Sequence, residues 1–365
     1  MRIFKRLKKI RFMIVFLIIN AMLSFLLEPA RGASEIMWGG YYAEEELDTI
    51  FIGSSLCQGT FDPVMFNEQL GIKSYNMGTP SQALPQTIRA LEVALAEHDI
   101  ETVIFGMGFS SLKLDVLDEA ELTFEKARAK KRGGIKGIAD ALSYLYSEDV
   151  RDEENSINFF FPWLYNREEI SVEMITENIK LKFRRMKEEL FGGGADALQS
   201  FTKGYQSPGV TVFNYDNMWE LNTYRYYDAE FEEDILQEFE ELLEICNKNE
   251  VDLIVVNTPH PYFDVIACYE FYESNQKEIE ALCREHGVDY YDFNLAKPEI
   301  FETRPEYYRD YEHLNYEGSQ AFCKSMCEFM IRRENGENLD EAFYSVDEFL
   351  EIHSEWLEDW KTYYW

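Results

Sequence analysis

Residues 49–60 read TIFIGSSLCQGT. The run 49–53 is short, apolar and rich in β-branched residues, and Gly53 ends it directly before Ser54 and Ser55. A continuous apolar run of this length is typical of a strand that is buried on both faces of a sheet. We therefore predict a buried strand over 49–53 and a tight turn into the next segment.

Further runs of the same kind follow along the chain and alternate with amphipathic stretches. The other candidate strands span 74–77, 102–106, 253–257 and 289–293, and the candidate helices span 81–97, 234–249, 275–285 and 317–332. This alternation predicts an α/β fold with a doubly wound parallel sheet that is covered by helices on both faces.

The connection between the third and fourth candidate strands, about 111–230, is too long for a simple crossover. Structureless loops of that length are rare in compact domains, so we expect a helical insertion that caps the sheet. It carries two basic clusters: Lys126, Arg128, Lys130, Lys131, Arg132 and Lys136, and then Lys180, Lys182, Arg184, Arg185 and Lys187. These clusters are either ordinary solvated helix faces or a site for an anionic head group or polymer.

The N-terminus combines a basic flank with an apolar run. Residues 1–11 hold six Lys or Arg and no acid, and residues 12–27 are almost wholly apolar. This pattern predicts a cytoplasmic stub over 1–11, a single-pass transmembrane signal-anchor over 12–28, and a linker over 29–47, with the remaining chain outside the cell membrane. Cleavage near Ala30-Arg31-Gly32, which would release a secreted protein, is the alternative.

Composition narrows the classes of partner and cofactor. The 365 residues include 35 Lys or Arg against 68 Asp or Glu, a net charge of −33, which repels nucleic acid. The six cysteines form no Cys-x-x-Cys pair, and the five histidines lack the spacing of a metal site. We therefore expect no nucleic-acid partner, no metal and no cofactor.

The last segment, 336–365, repeats apolar side chains at steps of three and four residues. They are Val346, Phe349, His353, Trp356 and Trp360. This spacing predicts one amphipathic helix that packs on the α/β body, with docking to a membrane partner as the alternative.

Three pieces of sequence carry the chemistry. Ser55 follows the first strand at the carboxyl edge of the sheet, where backbone N–H groups can bind an oxyanion. His313 comes three residues after Asp310, a spacing that lets the carboxylate orient an imidazole toward a serine. Gly78, after the second strand, lets the backbone approach a substrate oxygen.

Together these motifs resemble the SGNH, or GDSL-type, hydrolase superfamily. The resemblance covers residues 48–110 and 250–332, within a catalytic domain that we place at 48–335. It implies a flavodoxin-like sheet of order 2-1-3-4-5. It also implies Ser55 as nucleophile, Asp310 and His313 as the other members of the catalytic triad, and the N–H groups of Ser55 and Gly78 as oxyanion donors.

Within the superfamily the chain is similar to the membrane-anchored, extracytoplasmic branch around the teichoic-acid D-alanyl transfer protein DltD. The similarity implies a serine esterase or O-acyltransferase that acts on O-acetyl or D-alanyl groups of cell-envelope polymers through an acyl-serine intermediate. The implied partners are an acylated polymer or acyl carrier and a membrane-bound O-acyltransferase. A non-catalytic adaptor on the same scaffold is the alternative.

One departure from the family concerns the oxyanion hole. The family's third block supplies an asparagine, whereas the matching loop reads Gly106-Met107-Gly108-Phe109-Ser110. We expect the N–H of Gly108 or the hydroxyl of Ser110 to substitute for that amide.

Other residues at the same sheet edge are candidate pocket residues. Ser54 is the less favoured nucleophile, and Asn76 precedes Gly78 by two residues. Asn257 and His260 follow the fourth strand, where either a pocket or a turn forced by two prolines explains the segment.

Overall fold

The computed structural model describes residues 2–27, 32–113, 118–146, 161, 170–191, 201–216, 218–220 and 230–364. They belong to two compact units, which we call the helical unit (Met1–Glu35 and Asp118–Gln199) and the sheet unit (Ile36–Leu117 and Ser200–Trp365). The predicted insertion is therefore divided. Its last part, from Ser200, belongs with the sheet rather than with a separate cap.

The strands are β1 (Thr49–Gly53), β2 (Ser74–Asn76), β3 (Thr102–Met107), β4 (Phe201–Thr202), β5 (Tyr205–Gln206), β6 (Asp252–Asn257) and β7 (Asp289–Asp292). Five of them form a parallel sheet of order β2-β1-β3-β6-β7, and β4 and β5 form an antiparallel hairpin. The predicted doubly wound, flavodoxin-like sheet is confirmed. Its order reverses beside β1, so the carboxyl ends of β1 and β3 face one crevice.

The helices are, in chain order, α1 (Arg2–Leu27), α2 (Ala33–Tyr41), α3 (Ser55–Thr60), α4 (Pro63–Leu70), α5 (Leu84–Glu97), α6 (Phe109–Leu112), α7 (Asp118–Arg132), α8 (Gly134–Leu145), α9 (Val172–Phe191), α10 (Glu233–Lys248), α11 (Tyr262–Ala267), α12 (Tyr269–Glu285), α13 (Tyr316–Glu334), α14 (Val346–Ile352) and α15 (Ser354–Tyr364).

Aromatic side chains fill both faces of the sheet. Successive residues of a strand point to opposite faces, so the apolar run of β1 and β3 supplies two cores. On one face, Phe51 of β1 packs against Phe61 at 5.1 Å between ring centroids, and Phe61 packs against Phe322 of α13 at 5.7 Å. On the other face, Phe105 of β3 meets Phe239 of α10. The central strands are therefore held rigidly, and the residues at their carboxyl ends have a firm support.

Two segments differ from the sequence-based expectation. The predicted linker contains α2, whose Trp38 is buried, and the Tyr75 hydroxyl donates to the Met37 carbonyl oxygen at 2.8 Å. The tail forms two helices instead of one, because Ser345 caps the start of α14 and the first helix ends at His353. Its apolar residues are buried in both helices, Phe349 in α14 and Trp360 in α15.

In the helical unit, α1 is long and apolar enough to cross a membrane. The segment Lys8–Leu27 has a mean hydropathy of 2.4. By length and composition it is a candidate span, as a signal sequence would also be.

Candidate active site

The turn after β1 presents Ser55 at the carboxyl edge of the sheet. Gly53 has a φ of +139°, and a Cβ there would lie 2.3 Å from the carbonyl oxygen of Gly106 on the neighbouring β3. Only glycine fits this approach without strain. Ser54 is the N-cap of α3, and its Oγ accepts from the N–H of Leu56 at 3.3 Å. The Ser54 side chain is thus used as a helix cap. Ser55, the first residue of α3, directs its hydroxyl at a residue from the C-terminal part of the chain.

A chain of hydrogen bonds joins Ser55 to the predicted histidine and aspartate. Ser55 Oγ lies 2.8 Å from Nε2 of His313, a residue 258 positions later. His313 Nδ1 lies 2.9 Å from Oδ1 and 3.1 Å from Oδ2 of Asp310. The structure therefore brings the three predicted catalytic residues together in the order serine, histidine, aspartate.

The environment of Asp310 fixes the proton on the ring. Burial raises the pKa of this carboxyl, but hydrogen bonds and charge from His313 and the backbone N–H groups of Glu312 and His313 outweigh it and lower the pKa to about 2. An ionised carboxylate only accepts hydrogen bonds, so His313 carries its proton on Nδ1. The lone pair on Nε2 is then directed at the hydroxyl of Ser55.

The loop that carries Asp310 and His313 is held by a segment that the sequence placed in the insertion. The N–H of Phe213 donates to the Tyr308 carbonyl oxygen at 2.8 Å. Asn315, the N-cap of α13, donates from Nδ2 to the carbonyl oxygens of Glu306 at 2.6 Å and Thr211 at 3.2 Å. Residues 209–213 therefore position the catalytic loop, a role that no sequence pattern indicated.

Two of the three predicted oxyanion donors bind neighbouring side chains. The N–H of Gly78 donates to Oδ1 of Asn76 at 2.9 Å, and the N–H of Gly108 donates to Oγ of Ser111 at 3.0 Å. The third, the N–H of Ser55, lies in the first turn of α3, where amides have no acceptor within the helix. The backbone N–H of Ser55 is thus the predicted oxyanion donor that has no acceptor within its own helix.

The pocket roles expected for two asparagines do not agree with their surroundings. Asn76 is fully buried, and its Nδ2 donates to the carbonyl oxygens of Cys57 and Phe61. Asn257 is 1 % exposed and donates to the hydroxyl of Tyr272 at 3.3 Å. Asn76 thus bridges buried backbone groups, whereas Oδ1 of Asn257 is buried with no hydrogen-bond partner among the described residues.

His260, the other candidate after β6, is held on three sides. Its N–H donates to Oδ1 of Asn294 at 2.6 Å, its carbonyl oxygen accepts from the Tyr308 hydroxyl at 2.9 Å, and its Nδ1 lies 2.8 Å from the Thr258 carbonyl oxygen. A carbonyl only accepts, so Nδ1 carries the proton and Nε2 holds a lone pair. Burial lowers the pKa of His260 to about 4, and Nε2 has no partner among the described residues. His260 is therefore a neutral ring in a fixed orientation.

Sequence reasoning missed Glu312. The Ser110 hydroxyl, a predicted substitute donor, instead donates to Oε2 of Glu312 at 3.3 Å. Burial raises the pKa of this carboxyl. The signal was present in the sequence, since Glu312 lies between Asp310 and His313, but its orientation toward Ser110 depends on the packing of the loop after β3.

A second missed group is a buried polar network behind His260. Oδ1 of Asp292 accepts from Nδ2 of Asn294 at 3.0 Å, and Oδ2 accepts from the Tyr272 hydroxyl at 2.8 Å. Burial raises the pKa of Asp292 to about 6. Asp292 ends β7 and Asn294 follows it, so their place at the carboxyl edge of the sheet was the available signal.

The basic residues of the helical unit are largely used within that unit. Asp140 forms ion pairs with Arg128 at 3.1 Å and Arg132 at 2.9 Å, and Lys130 pairs with Glu35 at 2.7 Å. In the second cluster, the side chains of Arg185 and Lys187 lie outside the described residues. Within the described part of the chain, no group of three or more His, Cys, Asp or Glu side chains is arranged to hold a metal ion.

Comparison with known proteins assigns neither a family nor an activity. No family model matches the chain, and no curated protein matches it. One similar solved structure is that of a protein from Bacteroides fragilis NCTC 9343 described as an acylhydrolase. It is 10 % identical, the match covers 87 % of this chain and 94 % of that one, and the TM-score is 0.32. A likeness at this level assigns no activity.

Proposed function

We propose that the protein is a serine-dependent acyl esterase or O-acyltransferase of the SGNH type. The observation that supports this most directly is the hydrogen-bonded series from Ser55 Oγ through His313 to Asp310, with 2.8 Å between Ser55 Oγ and Nε2. This series lies at the carboxyl edge of a doubly wound sheet, which is the edge at which doubly wound α/β proteins bind their ligands.

In the proposed reaction, Nε2 of His313 takes the proton of Ser55 as Oγ attacks the carbonyl carbon of an ester or thioester. Asp310 holds the ring and stabilises the imidazolium that forms. The imidazolium then protonates the leaving alcohol or thiol, and the acyl group stays on Ser55. Water or a glycan hydroxyl attacks the acyl-serine next and gives its proton to Nε2. As the bond between the acyl carbon and Oγ breaks, Nε2 returns that proton to Oγ, which releases the acid or the new ester and restores the free serine.

The oxyanion of this reaction would be bound by the N–H of Ser55 and, after exchange of a hydrogen bond, by the N–H of Gly78. Exchange is needed because the Gly78 amide is bonded to Asn76. An oxyanion is a stronger acceptor than a neutral side-chain amide, so it competes for the same N–H. We expect slower turnover than in a hole whose donors are all open, since each donor is worth about 100- to 1000-fold.

Location defines the class of substrate in this proposal. If α1 anchors the chain and the sheet unit lies outside the membrane, the accessible esters are O-acetyl or D-alanyl groups on cell-envelope polymers. The resemblance to the branch around DltD supports the same substrates, with an acyl carrier or a membrane-bound O-acyltransferase as partner. The basic flank over 1–11 supports this orientation.

A fluorophosphonate probe tests the proposal, because it reacts only with an activated serine. We expect labelling of the full chain that is lost in Ser55→Ala and retained in Ser54→Ala. The latter removes only the N-cap of α3, which costs about 1 kcal/mol of stability. Labelling that survives Ser55→Ala, or an unlabelled wild type, would refute the assignment.

A non-catalytic adaptor is the second candidate. The hydrogen bonds that occupy the N–H groups of Gly78 and Gly108 favour it, because they leave fewer donors for an oxyanion. Hydrolysis of p-nitrophenyl acetate separates the two functions: the enzyme cleaves this ester in a Ser55-dependent manner, and an adaptor leaves it intact.

A further inference from the structure

Helix α8 of the helical unit exposes a stripe of large apolar side chains. Ile135, Ile138 and Leu142 are 87 %, 63 % and 48 % exposed. Their spacing of three and four residues places them on one side of the helix. The opposite side holds the buried Gly137 and Tyr144, so the stripe faces away from the packed side of the helix.

An apolar groove continues this stripe. It has a volume of about 580 Å³ and lies where the end of α7 meets α8, with Ala129, Gly133, Ile138 and Ala141 in its lining. Small residues on both helices keep the groove open to methylene-sized groups. The exposed stripe of α8 and the groove beside it are therefore both apolar.

Two sets of contacts link α7 and α9 to the end of α1 and to the segment that follows it. Lys130, in the last turn of α7, pairs with Glu35 at 2.7 Å, and Glu35 follows the last residue of α1 by only eight positions. On α9, Lys182 donates to the Phe25 carbonyl oxygen at 2.8 Å and Asn178 donates to that of Leu26 at 3.3 Å. Helix α9 is thus attached at the end of the candidate membrane span, and the α7–α8 pair is attached to α2, the next helix along the chain.

The charge around the stripe is positive, although the whole chain has a net charge of −33. Lys130 and Arg132, in the last turn of α7, are paired with Glu35 and Asp140, and the positive charge beside the stripe comes from Lys131 and the exposed Lys136. An apolar helix face flanked by lysines matches the boundary between anionic headgroups and acyl chains of a bilayer.

We infer that α8 lies in the membrane interface beside the end of α1, with Ile135, Ile138 and Leu142 among the lipid acyl chains. This inference rests on the membrane anchoring in the proposed function, and it adds a second membrane contact that holds the helical unit against the bilayer. A soluble protein partner or a second copy of the chain would cover the same face without lipid contact.

Site-specific fluorescence tests the inference on the full-length chain. The native cysteines are all buried, so a nitrobenzoxadiazole label reports selectively on a cysteine introduced by Leu142→Cys or, as the matched control on the adjacent polar side, Ser143→Cys. Each labelled chain is reconstituted into vesicles of phosphatidylcholine and phosphatidylglycerol with or without doxyl-labelled lipid. We expect quenching at least about threefold greater for the label at 142 than for the label at 143.

The other outcomes refute the inference in distinguishable ways. A chain that incorporates into the vesicles but shows equal, weak quenching at both positions retains its anchor and rejects the α8 contact. A label at 142 that is shielded without quenching points to a protein on this face. A chain that fails to incorporate rejects the anchor and the α8 contact together, whereas fluorophosphonate labelling of Ser55 stands apart from all three results.

Discussion

The ring of His260 occupies the space that any side chain at position 108 would need. A Cβ on Gly108 would lie 2.9 Å from Cε1 and 3.1 Å from Nε2 of His260, and 2.7 Å from Cδ1 of Leu56. The ring has little freedom to move, because its Nδ1 is bonded to the Thr258 carbonyl oxygen and the backbone of His260 is held by Asn294 and Tyr308. The glycine at position 108 and the histidine after β6 are therefore matched to each other in size.

This relationship predicts a compensating pair of substitutions. Gly108→Asn alone overpacks the site, and we expect it to lower stability by about 1–3 kcal/mol and to reduce kcat/KM for p-nitrophenyl acetate. Adding His260→Ala makes room for the amide beside Ser55. The double variant should recover at least about tenfold in kcat/KM over Gly108→Asn, since a side-chain oxyanion donor is worth about 100- to 1000-fold.

His260→Ala by itself is the control, because it opens the space without adding a donor. We expect no gain in kcat/KM from that single change. A double variant no more active than Gly108→Asn would show that the two positions are not coupled through this space.

Glu312 predicts a preference against anionic acyl groups. This carboxylate lies in the catalytic loop and accepts from Ser110 on the opposite side of the site. A negative charge near the nucleophile repels an anionic ester, and partial burial leaves the repulsion less screened. In Glu312→Gln we expect the ratio of kcat/KM for p-nitrophenyl succinate to that for p-nitrophenyl acetate to rise about tenfold.

The control is Glu306→Gln, which changes an exposed carboxylate nearby and should leave the ratio unchanged. A ratio that does not respond to the loss of Glu312 would place this charge outside the acyl site.

His260 and Asp292 predict opposite effects of pH on stability. The pKa of His260 is lowered from 6.5 to about 4 in the folded chain. Between these pH values the unfolded chain binds a proton that the folded chain does not, so stability falls as the pH drops from about 6.5 to 4. The pKa of Asp292 is raised from 3.8 to about 6, so the folded chain keeps that proton longer and stability falls as the pH rises from about 4 to 6. Each shift corresponds to about 3 kcal/mol at most.

The two contributions nearly cancel in the wild type between pH 4 and 6, and single variants separate them. Relative to wild type, His260→Gln should lose stability as the pH rises across this range, and Asp292→Asn should gain it. Urea unfolding at pH 4.5 and 6.5 measures both slopes. Parallel pH dependence of all three proteins would contradict the two buried protonation states.

The close approach of β1 to β3 at Gly53 predicts that a single added methyl group strongly lowers the stability of the fold. In Gly53→Ala the new Cβ would lie 2.3 Å from the backbone oxygen of Gly106, at a φ of +139°. We expect a loss of more than about 3 kcal/mol in the free energy of unfolding, because neither strand can move. Gly71→Ala is matched in its positive φ of +73° but meets no atom within 4 Å, so it should cost only about 1–2 kcal/mol. Similar losses in urea unfolding would show that φ, and not the close approach of β1 to β3, makes Gly53 necessary.

Local patterns were sufficient for the sheet. Each strand of the parallel sheet was predicted to within one residue at either end. The central strands β1, β3 and β6 are almost continuously apolar, because they are buried on both faces. The tail was less predictable. Its apolar spacing continues across His353, yet Ser345 starts one helix and Ser354 starts another, since capping and packing interrupt a period that the sequence carries unbroken.

The serine after β1 and the Asp310–His313 pair could be located from the sequence, because each depends on residues close together in the chain, whereas the strand order was an implication of the family resemblance. Which distant groups contact each other depends on the tertiary packing. The 2.8 Å contact between Ser55 and His313 and the position of the His260 ring against Gly108 follow from how segments up to 258 residues apart pack. Side-chain hydrogen bonds of this kind depend on positions defined to a few tenths of an ångström, which hydrophobic periodicity does not encode.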